Sequence, residues 1–304
     1  MADNTKIEWT DSTWNPITGC SVVSPGCTNC YAMRLAGTRM KHHPTRKGLT
    51  EDSKAGPVWN GKVRFNEKWI DQPLRWAEPR RIFVCAHGDL FHESVPDVWI
   101  DEVFARMALA SHHVFQVLTK RPERMRDYVN QKSALGRIWY LAQKARSTIP
   151  NWISGACLDA WPLPHVWLGV SVEDQARADE RILVLLETPA AVRFVSAEPL
   201  LGPLQFYALC DGHKFIDALK GTWWHDAPQG YRSAVSHGHE KLDWVIIGGE
   251  SGPNARPFDL DWARPLLAGC RAAGVACFVK QLGSATGFKL HDRKGGDINE
   301  WPED

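Results

Sequence analysis

The 304-residue chain has no run of apolar residues approaching the roughly 20 that a bilayer-spanning helix needs. Its start, MADNTKIEWT, lacks the basic, apolar and small-residue order of a secretory leader. Both absences predict a cytoplasmic protein with no membrane partner. Internal repeats and low-complexity tracts are missing too, and 44% hydrophobic with 23% charged residues is ordinary for a globular chain. The most informative absence is that of a fourth cysteine. Cys20, Cys27 and Cys30 fall within eleven residues, spaced C-x6-C-x2-C, in the stretch GCSVVSPGCTNCYA. The other five, Cys85, Cys157, Cys210, Cys270 and Cys277, are scattered and read as small buried residues. In a reducing compartment, clustered thiols are ligands or catalysts rather than disulfides.

Fifteen tryptophans are far more than usual, and they serve either as core fillers or as stacking surfaces for a planar ligand or bases. The net charge of +1 hides an uneven distribution. From Arg34 to Arg81 there are twelve Lys/Arg against five acidic residues, and from His113 to Pro150 eight against two. Both segments interleave bases with aromatics, among them Trp59, Phe65, Trp69, Trp76, Trp139 and Tyr140. Such a mixture can track phosphates and stack bases, so a nucleic acid or nucleotide is the expected partner; a solvated basic face is the alternative.

Short, nearly continuous apolar runs end in polar or glycine-containing clusters: RIFVCAHGDLFHE, HVFQVLTKRPE, VWLGVSVED, VRFVSAEPLLGP, LDWVIIGGESGP and ACFVKQLG. Each reads as a strand buried on both faces. Helical patterns alternate with them, as in DVWIDEVFARMALA, QARADERILVLLE and LDWARPLLAGCRAAG. With WTDSTWNPITG as the first, about seven strands predict an α/β fold, a complete or partial (βα) barrel forming one domain over residues 1–304. Stretches near 41–62, 130–163 and 206–241 exceed ordinary βα connections and read as insertions. Functional sites of such barrels form at the carboxyl ends of the strands. There the sequence sets Asp89 and His92, Lys120 and Arg121, Ser171 and Glu173, Glu198, Glu250 and Ser251, and Lys280 and Gln281. Six strands ending this way predict one convergent pocket. For any one glutamate the alternative is a buried ion pair with Lys120, Arg121 or Lys280.

Three thiols allow two main readings. Structural zinc takes four ligands, and His42 or His43 would be the nearest candidate for the fourth. A four-iron cluster held by three cysteines keeps one iron open, which S-adenosylmethionine (SAM) can chelate. Gly19, Pro25 and Gly26 suit a loop that wraps a cofactor, and the helix expected near Asn29 would turn N–H dipoles toward an anionic cluster. The second gap matches the usual radical-SAM spacing C-x3-C-x2-C, and the first is three residues longer. A hydrolase using His87, Asp89 and His92 is a third reading, with ligands from only one strand end.

The stretches IEWTDSTWNPITGCSVVSPGCTNCYA, DLFHESVPD, FQVLTKRPERM, VWLGVSVEDQARADERI, VRFVSAEPLLGP, DWVIIGGESGPNARP and FVKQLG together resemble the three-Cys-motif family of phages and bacteria. The likeness runs from Ile7 to about Gly283 and departs at Cys85–Asp89, where the family's usual Asn-Ser-Met-Ser-Asp reads Cys-Ala-His-Gly-Asp. It implies a radical-SAM-like barrel in the cytoplasm, that of a bacterial host if the chain is phage-encoded. Cys20, Cys27 and Cys30 would hold a [4Fe-4S] cluster with Tyr31 packed beside them. Gly88 and Asp89 would approach the methionine amino group, Ser171 and Glu173 the ribose or carboxylate, and Gly248 and Gly249 the adenine or ribose. Glu198, Lys120 and Glu250 are the candidate catalytic side chains. An external donor would supply one electron, SAM would be cleaved to a 5′-deoxyadenosyl radical, and a nucleic acid base or nucleotide would be modified or rearranged, phage DNA included. A zinc-stapled nucleic-acid-binding protein without catalysis is the alternative.

Overall fold

The computed structural model describes residues 5, 7–146, 150, 160–225 and 235–302. The apolar runs form a parallel sheet of seven strands: β1 (Ser12–Trp14), β2 (Arg81–Val84), β3 (Val114–Thr119), β4 (Val166–Ser171), β5 (Val192–Ala197), β6 (Trp244–Gly248) and β7 (Ala276–Gln281). Their order in the sheet is their order in the chain, the arrangement of a partial (βα) barrel. Strands β2 to β6 are mostly buried, as both-face coverage requires, while β7 is half-buried along most of its length.

Among the described residues, six α-helices accompany the strands: α1 (Tyr31–Gly37), α2 (Asp97–Leu109), α3 (Pro122–Val129), α4 (Ala134–Ala145), α5 (Gln175–Leu186) and α6 (Leu260–Ala273). Their limits follow from local chemistry. The Asp174 side chain accepts the Arg177 N–H at 2.8 Å and starts α5. Asp259 does the same for α6 through Asp261, and Gly274, at φ 67°, ends it.

The chain divides into two compact units. The first comprises residues 1–168 with 188–191. Its core holds Trp14, Ile82, Val84, Phe115 and Val117, and the Trp14 indole donates to the Trp69 carbonyl at 2.7 Å, anchoring the connection between β1 and β2. Within the expected insertion 41–62 lies a hairpin, Thr50–Ser53 with Gly56–Trp59. The insertion 130–163 contains α4; Cys157 lies outside the described residues.

The second unit comprises residues 169–187 with 192–304. Here the insertion 206–241 builds an antiparallel sheet from Leu209–Asp211, Lys214–Asp217, Thr222–His225 and Ser236–His237. That sheet corrects one expectation about cysteine: Cys210 is exposed, because it lies on the outermost of these strands, and Cys277 is half-buried on β7. Cys85 and Cys270 are buried as expected. Of the tryptophans, Trp9, Trp14, Trp59, Trp76 and Trp224 fill core, whereas Trp139 stands 53% exposed.

Candidate functional site

In the first unit the thiol loop leaves β1 beside the turn that follows β2. The Gly19 N–H donates to the His87 carbonyl at 3.2 Å, and Gly19 and Gly88 form a parallel bridge. A Cβ at Gly88 would stand 3.0 Å from the Ile17 carbonyl oxygen, so this close backbone approach explains the glycine there. Beyond Cys20 the chain makes a short 3-10 turn, Pro25–Cys27, and enters α1 directly after Cys30. The Tyr31 hydroxyl donates to the Ala86 carbonyl at 2.7 Å, tying the start of α1 to the turn after β2. Cys20 and Cys30 pack against the apolar cluster of Ala32, Met33, Ala36, Leu49 and Trp59.

Arg121, 5% exposed at the end of β3, holds this loop. Its guanidinium donates to Asp89 Oδ2 at 3.0 Å, Glu93 Oε1 at 2.8 Å, Ser21 Oγ at 2.6 Å and Cys20 Sγ at 3.6 Å. Asp89 is in turn saturated: its other oxygen accepts from the Thr119 hydroxyl at 2.7 Å and the Phe91 N–H at 3.0 Å, and Oδ2 also accepts from the Lys120 N–H at 3.2 Å. His92 closes the ring, with Nε2 3.1 Å from Ser21 Oγ and Nδ1 accepting from the Ser94 N–H at 3.0 Å. Since Nδ1 accepts, a neutral ring carries its proton on Nε2 and donates to Ser21. Two donors therefore converge on the hydroxyl next to Cys20.

Burial pushes the Cys20 thiol up to about 12, with Asp89 and the other two cysteines adding to the rise and Arg121 opposing it. Burial also raises Cys30, against N–H donation from Met33 and Ala32 and the charge of Lys120. His87 is held neutral by burial at about 4, its ring edge-on to Tyr31 at 5.8 Å. Burial, and then Arg121, lowers His92. With Asp89 fully bonded and both ring nitrogens of His92 engaged, His87, Asp89 and His92 do not come together as a ligand set.

Among the described residues, no three His, Cys, Asp or Glu side chains stand together as a set able to hold a metal ion. His43 is bonded through Nδ1 to Thr45 Oγ1 at 2.8 Å and does not join the thiols. The donor chemistry nevertheless fits a thiophilic, positively charged centre. Burial first, with Cys27 nearby adding to it, raises both Cys20 and Cys30, and a bound cation relieves that cost by favouring the thiolates.

In the second unit, the strand ends carry glutamates that are each matched to a cation. Glu173, fully buried after β4, accepts from Arg181 at 3.2 Å, and the same guanidinium donates to the Ser171 carbonyl at 2.8 Å. Glu198, after β5, accepts from Lys280 of β7 at 2.8 Å and from the Ser196 hydroxyl at 3.1 Å. Ser171 Oγ donates to the Glu198 carbonyl at 3.2 Å. Glu250 holds Arg256 through both carboxylate oxygens, at 2.6 and 3.0 Å. Gly248 lies where a Cβ would meet Glu198 Oε1 at 2.8 Å, and a Cβ at Gly249 would stand 2.1 Å from the Leu282 carbonyl oxygen. A groove of about 400 Å³ in this unit, lined by Leu204, Phe206, Tyr207, Leu219, Pro265 and Leu266, includes none of these residues.

The ion-pair alternative thus holds for Glu198 with Lys280. The partners of Glu173 and Glu250 are Arg181 and Arg256, which sequence reasoning missed, although each lies within eight residues of its glutamate. Ser21 was missed as well. Arg121 was anticipated at a strand end, but its acidic partners are Asp89 and Glu93 rather than a strand-end glutamate.

These features define an α/β protein on a parallel sheet in barrel order, with a three-thiol loop after its first strand. The chain belongs to the family described as protein of unknown function (DUF5131), whose model matches residues 4–298. No curated protein and no solved structure matches it.

Proposed function

We propose that the protein is a radical SAM enzyme that binds a [4Fe-4S] cluster through Cys20, Cys27 and Cys30 and acts on a nucleic acid base or nucleotide. The observation that carries this reading is the thiol loop itself: three cysteines follow the first strand of a parallel sheet, and a buried guanidinium contacts the first of them without completing a ligand set. When bound, the cluster would pass one electron to SAM, whose cleavage supplies the radical that removes hydrogen from the substrate. The chain's own residues keep the loop in place and set its charge. Arg121 and His92 fix Ser21, and Arg121 and Lys120 offset thiolate charge at Cys20 and Cys30. The strand-end glutamates of the second unit already hold cations, so any catalytic use of Glu198 or Glu250 requires exchange of Lys280 or Arg256.

The test is turnover of SAM. Protein reconstituted without oxygen and reduced with dithionite should release 5′-deoxyadenosine, and Cys27→Ala should release none. Intact SAM in the presence of a fully loaded, reduced cluster would overturn the radical reading while leaving the cluster reading in place.

A further inference from the structure

We propose that the outward face of α4 is a docking surface for single-stranded nucleic acid. The inference rests on the nucleic-acid part of the proposed function and is independent of the cluster. α4 buries Ala134, Ile138, Ala142 and Ala145, and packs against α2. At 3.6 residues per turn the opposite face then carries Gly136, Trp139, Tyr140, Gln143 and Lys144. Trp139 is 53% and Tyr140 63% exposed, adjacent rings of the kind that proteins ordinarily bury.

Charge decides what such a surface can take. From Tyr128 to Leu158 the sequence contains no aspartate or glutamate. On α3 and at the start of α4 the bases lie against carboxylates, Arg124 and Arg137 with Asp97 and Asp101, and Arg126 with Asp127. Flanking the two rings, Lys132, Lys144 and Arg146 are exposed. The exposed bases next to the rings in the chain are thus all positive, complementary to a polyanion that also offers planar groups.

The other basic segment, from Arg34 to Arg81, lacks this combination. Its Trp59 and Trp76 are buried, Phe65 stacks on Trp99 at 5.4 Å, Arg80 covers Trp76 at 4.8 Å, and Arg46, only 2% exposed, lies over Trp69 at 5.9 Å. Of these two segments, similar in composition, α4 is the one that presents exposed stacking surfaces. A single strand is the fitting occupant because its bases can leave their neighbours and stack on protein rings, which a duplex does not permit without unstacking.

The experiment measures binding of the full-length protein to a fluorescent oligothymidylate of about 20 nucleotides, long enough to cover one such site, by anisotropy across a salt series. Trp139→Ala with Tyr140→Ala should weaken binding about ten-fold or more, as loss of base stacking does. Lys132→Gln, Lys144→Gln and Arg146→Gln together should flatten the plot of log affinity against log salt by roughly 0.7 for each phosphate no longer neutralised. The control Lys47→Gln, Lys54→Gln and Lys62→Gln should leave affinity within about two-fold, since salt-dependent affinity follows only the phosphates that the protein neutralises. Unchanged thermal midpoints and iron content show that the fold is retained. Wild-type binding that the α4 variants leave untouched overturns the surface but keeps the partner. No binding of any oligonucleotide at low salt overturns both, whatever the iron analysis gives. Preference for duplex, or self-association that only the aromatic variant abolishes, assigns the face to another occupant and overturns the proposal.

Discussion

In the second unit Glu173, Glu198 and Glu250 are each matched to a cation, whereas in the first unit the guanidinium of Arg121 is shared among Asp89, Glu93, Ser21 and Cys20. A matched pair brings two opposite charges together and neutralises them. A shared hub does more, because it makes the position of a loop depend on several bonds at once. Beside it stand the Cys20 and Cys30 thiols, which burial, and to a smaller degree neighbouring cysteines, keep protonated. The contrast separates a region whose charges are internally settled from one whose donors gain by binding a cation.

The largest effect is expected in the second unit. Gly249→Val puts a side chain into the Leu282 backbone, which cannot move away cheaply, and should destabilise by more than about 3 kcal/mol, read as loss of soluble protein. Gly248→Ala meets the Glu198 side chain rather than backbone and should cost about 1 kcal/mol. Next come the buried guanidiniums. Arg121→Ala and Arg181→Ala each strand a buried carboxylate and should lower unfolding free energy by about 3 to 5 kcal/mol in denaturant titrations. Only Arg121→Ala should also reduce iron uptake; equal iron loss in both would erase the distinction between hub and pair.

Acid should then act mainly through histidine. Burial lowers His113, which is 1% exposed, to about 4. Its folded pKa lies below the unfolded value near 6.5, so the unfolded chain takes up the proton first and stability falls as pH drops through that window. The loss should be about 2 kcal/mol at pH 5 relative to pH 7. His87, also held near 4 but half-buried, should add to it. A thermal midpoint that stays flat between pH 7 and 5 would contradict this. Lys280→Ala should cost less than either arginine variant. Glu198 is 15% exposed, so water replaces part of the lost bond and the cost should be about 1 to 2 kcal/mol in the same titrations.

Much of the fold was legible in the sequence because its signals are local. A strand buried on both faces must be apolar throughout, so β2 to β6 announce themselves, as does the polar residue that ends each. The thiol spacing is local as well. The Arg121 hub is not, since its partners Glu93 and Cys20 lie 28 and 101 residues away in the chain. Nor could glycine reveal its reason. Gly88, Gly248 and Gly249 signal that something comes close, and in the structure that something is Ile17, Glu198 and Leu282 of the protein itself. The short strands of the 206–241 insertion mix Cys210, Lys214 and Trp224 with no sustained period, which hid an antiparallel sheet. Composition likewise made the two basic segments look alike, because it does not record which rings are exposed.

What the three thiols bind decides the function. The most direct measurement is iron, sulfide and zinc analysis of protein purified and reconstituted without oxygen, alongside Cys27→Ala. The wild-type protein should be brown, with broad absorbance near ~400 nm and about four irons per chain, both lost in the variant, as expected for a thiolate-held cluster. One zinc per chain with no uptake of iron would contradict the cluster reading.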